Sequence, residues 1–112
     1  MAAANTDGTS NGTTDVTVIP SPGASTSRLI PIGGFNIFNN DTVEAVVTIQ
    51  KHDTGGPTDR VMDKITMQTG DAWSNPFPMV LDSTTERIEI YLGGAVTTNE
   101  LDWVSHWRDE SQ

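Results

Sequence analysis

The stretch Val43-Glu44-Ala45-Val46-Val47-Thr48-Ile49-Gln50 decides how the rest of the chain is read. Val43, Ala45, Val47 and Ile49 alternate with Glu44, Val46, Thr48 and Gln50. A period of two places the first set on one face of a β-strand and the second on the other. The first face is apolar and the second largely polar, as in an antiparallel strand with one side in a core and one side in water.

The same period recurs on both sides of this strand. Upstream, Arg28 to Phe38 reads as one run, with Ile30, Ile32, Phe35 and Ile37 as core candidates. Gly33-Gly34 inside it predicts a bulge or kink that shifts the inward set by one residue. Asn39-Asn40-Asp41 predicts a turn, because Asn and Asp tolerate left-handed backbone. Downstream, residues 52–59 form a loop, and Arg60 to Gln68 is the next strand. Val61, Ile65 and Met67 share one face of it and Met62 takes the other. Ala72 to Leu81 contains Asn75-Pro76-Phe77-Pro78 and is expected at an edge, since proline cannot donate to a ladder. Ile88, Ile90 and Leu92 alternate with Arg87, Glu89 and Tyr91. Leu101, Trp103, Ser105 and Trp107 alternate with Asp102, Val104, His106 and Arg108. About seven or eight short strands joined by turns, with no helical period, predict an all-β fold. The expected architecture is an antiparallel β-sandwich, jelly-roll or immunoglobulin-like, in residues 28–112.

Residues 1–27 differ in composition. They hold no Lys, no Arg and no aromatic residue, and are dominated by Ala, Thr, Ser, Gly and Asn. Such a segment buries too little apolar area to offset its ordering entropy, so it is expected to be an extended polar arm. One piece stands out. Val16-Thr17-Val18-Ile19-Pro20 is β-branched and is stopped by Pro20-Ser21-Pro22-Gly23, which predicts a strand that pairs with its own domain or with a neighbour. Val16, Val18, Ile19 and Pro20 are thus candidate partner-binding residues.

Composition excludes several functions. The 112 residues carry a formal net charge of −9 with six Lys and Arg, and no Cys. A phosphate-tracking surface needs clustered positive charge, so no direct nucleic-acid partner is expected. Without Cys there is no disulfide scaffold, thiolate zinc site, thiol nucleophile or iron–sulfur cluster. No apolar run approaches the roughly 20 residues of a membrane-spanning helix, and no secretory signal pattern opens the chain.

Catalytic motifs are also missing. Ser105, His106 and Asp109 are close in sequence, but Ser105 and His106 point to opposite faces of a strand and cannot form a nucleophile–base pair. The loop from His52-Asp53 to Asp59 offers carboxylates without the spacing of a calcium loop. The glycine pairs at 33–34, 55–56 and 93–94 are not followed by Lys-Ser or a helix, so they read as turns. Asp82, Glu86, Glu89, Glu100 and Asp102 read as a solvated face of an acidic protein. No catalytic residue, metal ligand or cofactor is expected. Trp73, Phe77, Tyr91, Trp103 and Trp107 are core or interface aromatics, with a sugar-stacking face of Trp73, Tyr91, Trp103 and Trp107, on a glycan- or receptor-binding module, as the alternative.

A resemblance adds a functional expectation. The features are Thr17-Val18-Ile19-Pro20-Ser21-Pro22, then Arg28-Leu29-Ile30-Pro31, Asn39-Asn40-Asp41 and Val46-Val47-Thr48-Ile49. They continue through residues 65–73, 81–90 and 97–105. Over residues 16–108 or so the chain resembles the small single-domain β proteins of tailed-bacteriophage virions. That resemblance implies a structural protein without enzymatic activity: a capsid decoration (cement) protein on the head surface, or a neck or tail component. The implied partners are further copies of the chain and the major capsid protein or other virion subunits. A homotrimer would match a capsid three-fold axis. The protein would be made in the host cytoplasm and reside in the virion.

Overall fold

The computed structural model describes residues 2–56 and 58–112; Met1 of the expected arm and Pro57 of the expected loop lie outside the described residues. The chain forms ten strands: β1 (Ala2–Ser10), β2 (Val16–Ile19), β3 (Thr26–Ile30), β4 (Phe35–Phe38), β5 (Ala45–Asp53), β6 (Thr58–Met67), β7 (Ala72–Ser74), β8 (Met79–Leu81), β9 (Glu86–Leu92) and β10 (Leu101–Ser111). All pairings are antiparallel. The first sheet runs β7-β4-β10-β3-β8, with β1 on the other side of β10, and the second runs β2-β9-β5-β6. This is an all-β sandwich, as the alternation predicts.

The core lies between the two inner faces. Val47 and Ile49 of β5, Ile88, Ile90 and Leu92 of β9, and Leu101, Trp103 and Trp107 of β10 are all buried there. Phe35 and Ile37 of β4 meet them from the first sheet, and Phe35 packs edge-to-face on Trp73 at 5.8 Å between ring centroids. Ser105 is the polar member of the inward row on β10. Its Oγ donates to the Val18 carbonyl at 2.6 Å, tying the first sheet to β2 across the core and satisfying the buried hydroxyl.

Three expected core residues are corrections: Val43 lies ahead of β5 and is 44% exposed, and Ile32 and Val61 also face solvent. The run 28–38 is two strands joined by a turn at residues 31–34, where Gly33 takes a φ of +77°. The turn resets the period, so Ile30, Phe35 and Ile37 are buried while Ile32 is exposed. On β6 the register shifts so that Asp63 pairs with Ile49 and Val61 with Gln50, leaving Met62 as the extra residue. A bulge turns the residues beyond it to the opposite face. Val61 is therefore exposed, and Met62 packs against the core beside Ile65. The Asn75-Pro76-Phe77-Pro78 segment separates β7 and β8, which occupy edges, as proline requires.

The N-terminal segment contributes a strand to each sheet. β2 pairs with β9, and Val18 and Ile19 are completely buried in the core. β1 pairs with β10 over nine residues, from Ala2 opposite Asp109 to Ser10 opposite Leu101. Its main chain, not its side chains, places it: Gly8 lies against the Trp103 ring, and a Cβ there would come within 2.7 Å of Trp103 Cζ2. Glycine is what allows the indole to lie across this strand.

Candidate assembly interface

Function in a sandwich without a catalytic cleft is carried by its outer faces and edges. On the first sheet, residues paired across strands share a face. Asp102 faces Phe38, Val104 faces Asn36, and Arg108 faces Leu29, which in turn faces Val80. The outer face therefore carries Phe38, Val104, Leu29 and Val80, interspersed with Asn36, Asp102 and Arg108, with Ile32 at the adjoining 31–34 turn. Ile32 is 66%, Phe38 42%, Val80 48% and Val104 49% exposed. Among the described residues, these are four of the six exposed large hydrophobics, so the apolar surface is concentrated on one sheet.

A groove interrupts this face. β10 pairs with β4 through residues 102–105 and with β3 through residues 108–111, leaving a break between them. The glycine turn at 31–34 causes it, since the chain there loops out of the ladder and the His106 N–H, donating to the Gly34 carbonyl, bridges the gap. The groove encloses about 480 Å³ and is lined chiefly by apolar groups, including Leu29, Pro31, Pro78, Val80 and Trp107. Arg28 stacks its guanidinium 4.6 Å over the Trp107 ring and forms a two-pronged pair with Asp109. The Arg28 guanidinium holds the Asp109 carboxyl below the usual carboxylate range.

The open edges of the sandwich adjoin these faces. β1 exposes one side of the first sheet, and β6 exposes one side of the second. β6 carries Asp59, Arg60, Asp63 and Lys64 and the bulge at Met62, both devices that discourage unplanned strand pairing. β1 carries one charge, Asp7, and no bulge.

The outer face of the second sheet is mostly polar, with Val61, opposite Gln50, as its exposed apolar member. Thr17, Thr48, Gln50, His52, Arg87, Glu89 and Tyr91 project from it. Glu89 is expected in solvent, yet it is 3% exposed; Gln50 Nε2 and Arg87 Nε both donate to its carboxylate, at 3.0 and 2.6 Å. His52 and Asp59 complete a cluster of three groups able to hold a metal ion.

Among the remaining sequence candidates, Trp103 and Trp107 are buried, and Trp73, Phe77 and Tyr91 are half-buried. Val16 is half-buried and Pro20 exposed at the two ends of β2. Ser105 and His106 face opposite ways, the first buried and the second exposed, so they make no nucleophile–base pair. Asp41 has a role beyond the expected turn. Its carboxylate accepts N–H bonds from Thr97, Thr98, Asn99 and Thr42 at 2.8–3.1 Å. These bonds, led by that from Thr97 and opposed by burial, hold it far below the usual carboxylate range. A residue pair 56 positions apart carries no local signature in the sequence.

No protein-family model matches the chain, and no curated protein sequence matches it. Among solved structures, the chain is similar in fold to one from Bacillus endospore appendages, a family of disulfide-linked pili, with a TM-score of 0.57. Identity is 16%, and the match covers 98% of this chain and 85% of that one. PirA gives a TM-score of 0.45 at 16% identity, over 93% of this chain and 83% of that one. Infectious bursal disease virus, Gx strain, gives 0.42 at 16% identity, over 97% of this chain and 33% of that one.

Proposed function

We propose that the chain is a non-catalytic structural subunit of a multi-subunit particle, and that it docks through the outer face of the first sheet. The observation that supports this is the apolar stripe of Ile32, Phe38, Val80 and Val104 beside the Leu29–Trp107 groove. Exposed large apolar side chains gathered on one sheet of a chain of net charge −9 favour cover by a neighbour. The charge keeps free subunits apart until docking, and the 112 residues hold no Cys, so within them the contacts are noncovalent. Buried Trp103 and Trp107 weigh against stacking on a glycan.

The particle proposed is a tailed-phage head, with the chain as a decoration subunit, trimeric at a three-fold site; the resemblance of residues 16–108 supports this form. The fold shared with the Bacillus endospore appendage subunit supports a second form, an open fibre built by head-to-tail contacts. Purified protein mixed with undecorated phage heads and pelleted separates them. Co-sedimentation, lost in Val104→Lys, supports decoration; filaments in electron micrographs of the protein alone support the fibre. A chain that stays monomeric and in the supernatant overturns the reading.

A further inference from the structure

We propose that His52, Asp59 and Glu89 form a site for one first-row divalent cation, Zn²⁺ being the probe of choice, on the outer face of the second sheet. The three ligands come from three adjacent strands, β5, β6 and β9. His52 pairs with Asp59 on β6 and with Arg87 on β9, next to Glu89, so the sheet register itself brings the donors together. One ligand atom from each lies within 4.8 Å of the others. His52 Nδ1 is 2.5 Å from Asp59 Oδ1 and 4.0 Å from Glu89 Oε1. The first two are in hydrogen-bond contact, and a cation seated among the three would replace that contact.

The site is built on one side and open on the other. Glu89 is buried, and its two oxygens divide their work: Oε2 takes Arg87, while Oε1, which also accepts from Gln50, faces His52. Side chains that fix ligand orientation in this way are the usual supports of a metal centre. Asp59 is half exposed, leaving room for water to complete the coordination. Asp15 lies near enough to feel the cluster. Burial, then the Glu89 and Asp59 charges, push its carboxyl up, offset by His52 and Arg87. With the Asp59 and Glu89 carboxylates facing the one guanidinium of Arg87, the cluster carries negative charge that a divalent cation would cancel. A donor set of one imidazole and two carboxylates suits zinc or manganese, whereas calcium takes oxygen alone.

The test is calorimetric titration of EDTA-treated, dialysed full-length protein with Zn²⁺, with Ca²⁺ as a comparison. The expected result is one Zn²⁺ per chain, a higher melting temperature with Zn²⁺, and no comparable effect of Ca²⁺. Loss even of the outer partners of metal ligands costs roughly 10- to 100-fold in affinity, so His52→Asn and Asp59→Asn should lose at least that. His106→Asn, on the other sheet, should bind as the unaltered chain does. Circular dichroism establishes that each variant is folded. Because His52 and Asp59 sit at the surface end of the β5–β6 pair, neither substitution opens the core. Absence of Zn²⁺ binding, or binding that survives in both folded variants, or binding lost with His106, overturns the assignment.

Discussion

The two outer faces of this sandwich share one core and differ in almost everything else. The first sheet presents Ile32, Phe38, Val80 and Val104 around an apolar groove. The second presents Gln50, His52, Arg87 and Glu89, with Gln50 bonded to Glu89 across strands, Arg87 to Glu89 along β9, and His52 to Asp59 on β6. A polar face that satisfies its own hydrogen bonds is complete in water. An apolar face is not, and gains from being covered. The inner faces explain why the chain folds; the contrast between the outer faces indicates which side meets a neighbour.

The comparison can be broken at several strengths. The largest effect is expected in the shared core. Phe35→Ala removes a completely buried ring that also packs on Trp73, and should cost about 3–5 kcal/mol in denaturant unfolding. A loss well below that would mean the two sheets are not backed by one packed core. Next comes the polar face. Glu89→Ala leaves the Arg87 guanidinium and the Gln50 amide without their acceptor, and should cost about 1–3 kcal/mol. Stability equal to that of the unaltered chain would show the face to be loosely solvated instead.

Asp41 tests the frame that holds both faces. Its folded carboxyl is depressed, led by the Thr97 N–H bond. The stability it supplies is therefore present above the unfolded value, near 3.8, and is lost as pH falls below that toward the folded value. Asp41→Asn should unfold more readily at neutral pH and show a shallower loss of stability between about pH 4 and pH 2. Parallel acid-unfolding curves for the two proteins would contradict the four-bond arrangement. The smallest effect on stability, within about 0.5 kcal/mol, is expected for Val104→Lys on the apolar face; its consequence should appear in assembly.

The fold was legible wherever side chains alternate without interruption. Val47, Ile49, Ile88, Ile90, Leu92, Leu101, Trp103 and Trp107 follow a period of two and are buried. It was misread where backbone geometry resets that period: Ile32 lies in the turn that holds Gly33 in left-handed conformation, and Val61 lies beside the bulge at Met62. β1 gave no signal because its attachment to β10 is made by main-chain bonds, which Ala, Thr, Ser and Gly make as well as any residue. The candidate surfaces were legible only in part. The alternation on β10 places Val104, His106 and Arg108 outward, but the groove beside them depends on β3 and β4 meeting β10 at separate places. Glu89 reads as one more solvated acid because Gln50 on β5 becomes its neighbour only through register, although Arg87, two residues away on β9, shares its face.

Sedimentation velocity over a concentration series tests the central claim most directly, with Val104→Lys on the apolar face and Thr66→Lys on the polar sheet run beside the unaltered chain. The account predicts self-association of the unaltered chain to a defined oligomer, unchanged in Thr66→Lys and lost in Val104→Lys, with all three proteins folded. A chain that is monomeric at every concentration, or an oligomer indifferent to lysine at position 104, would contradict it.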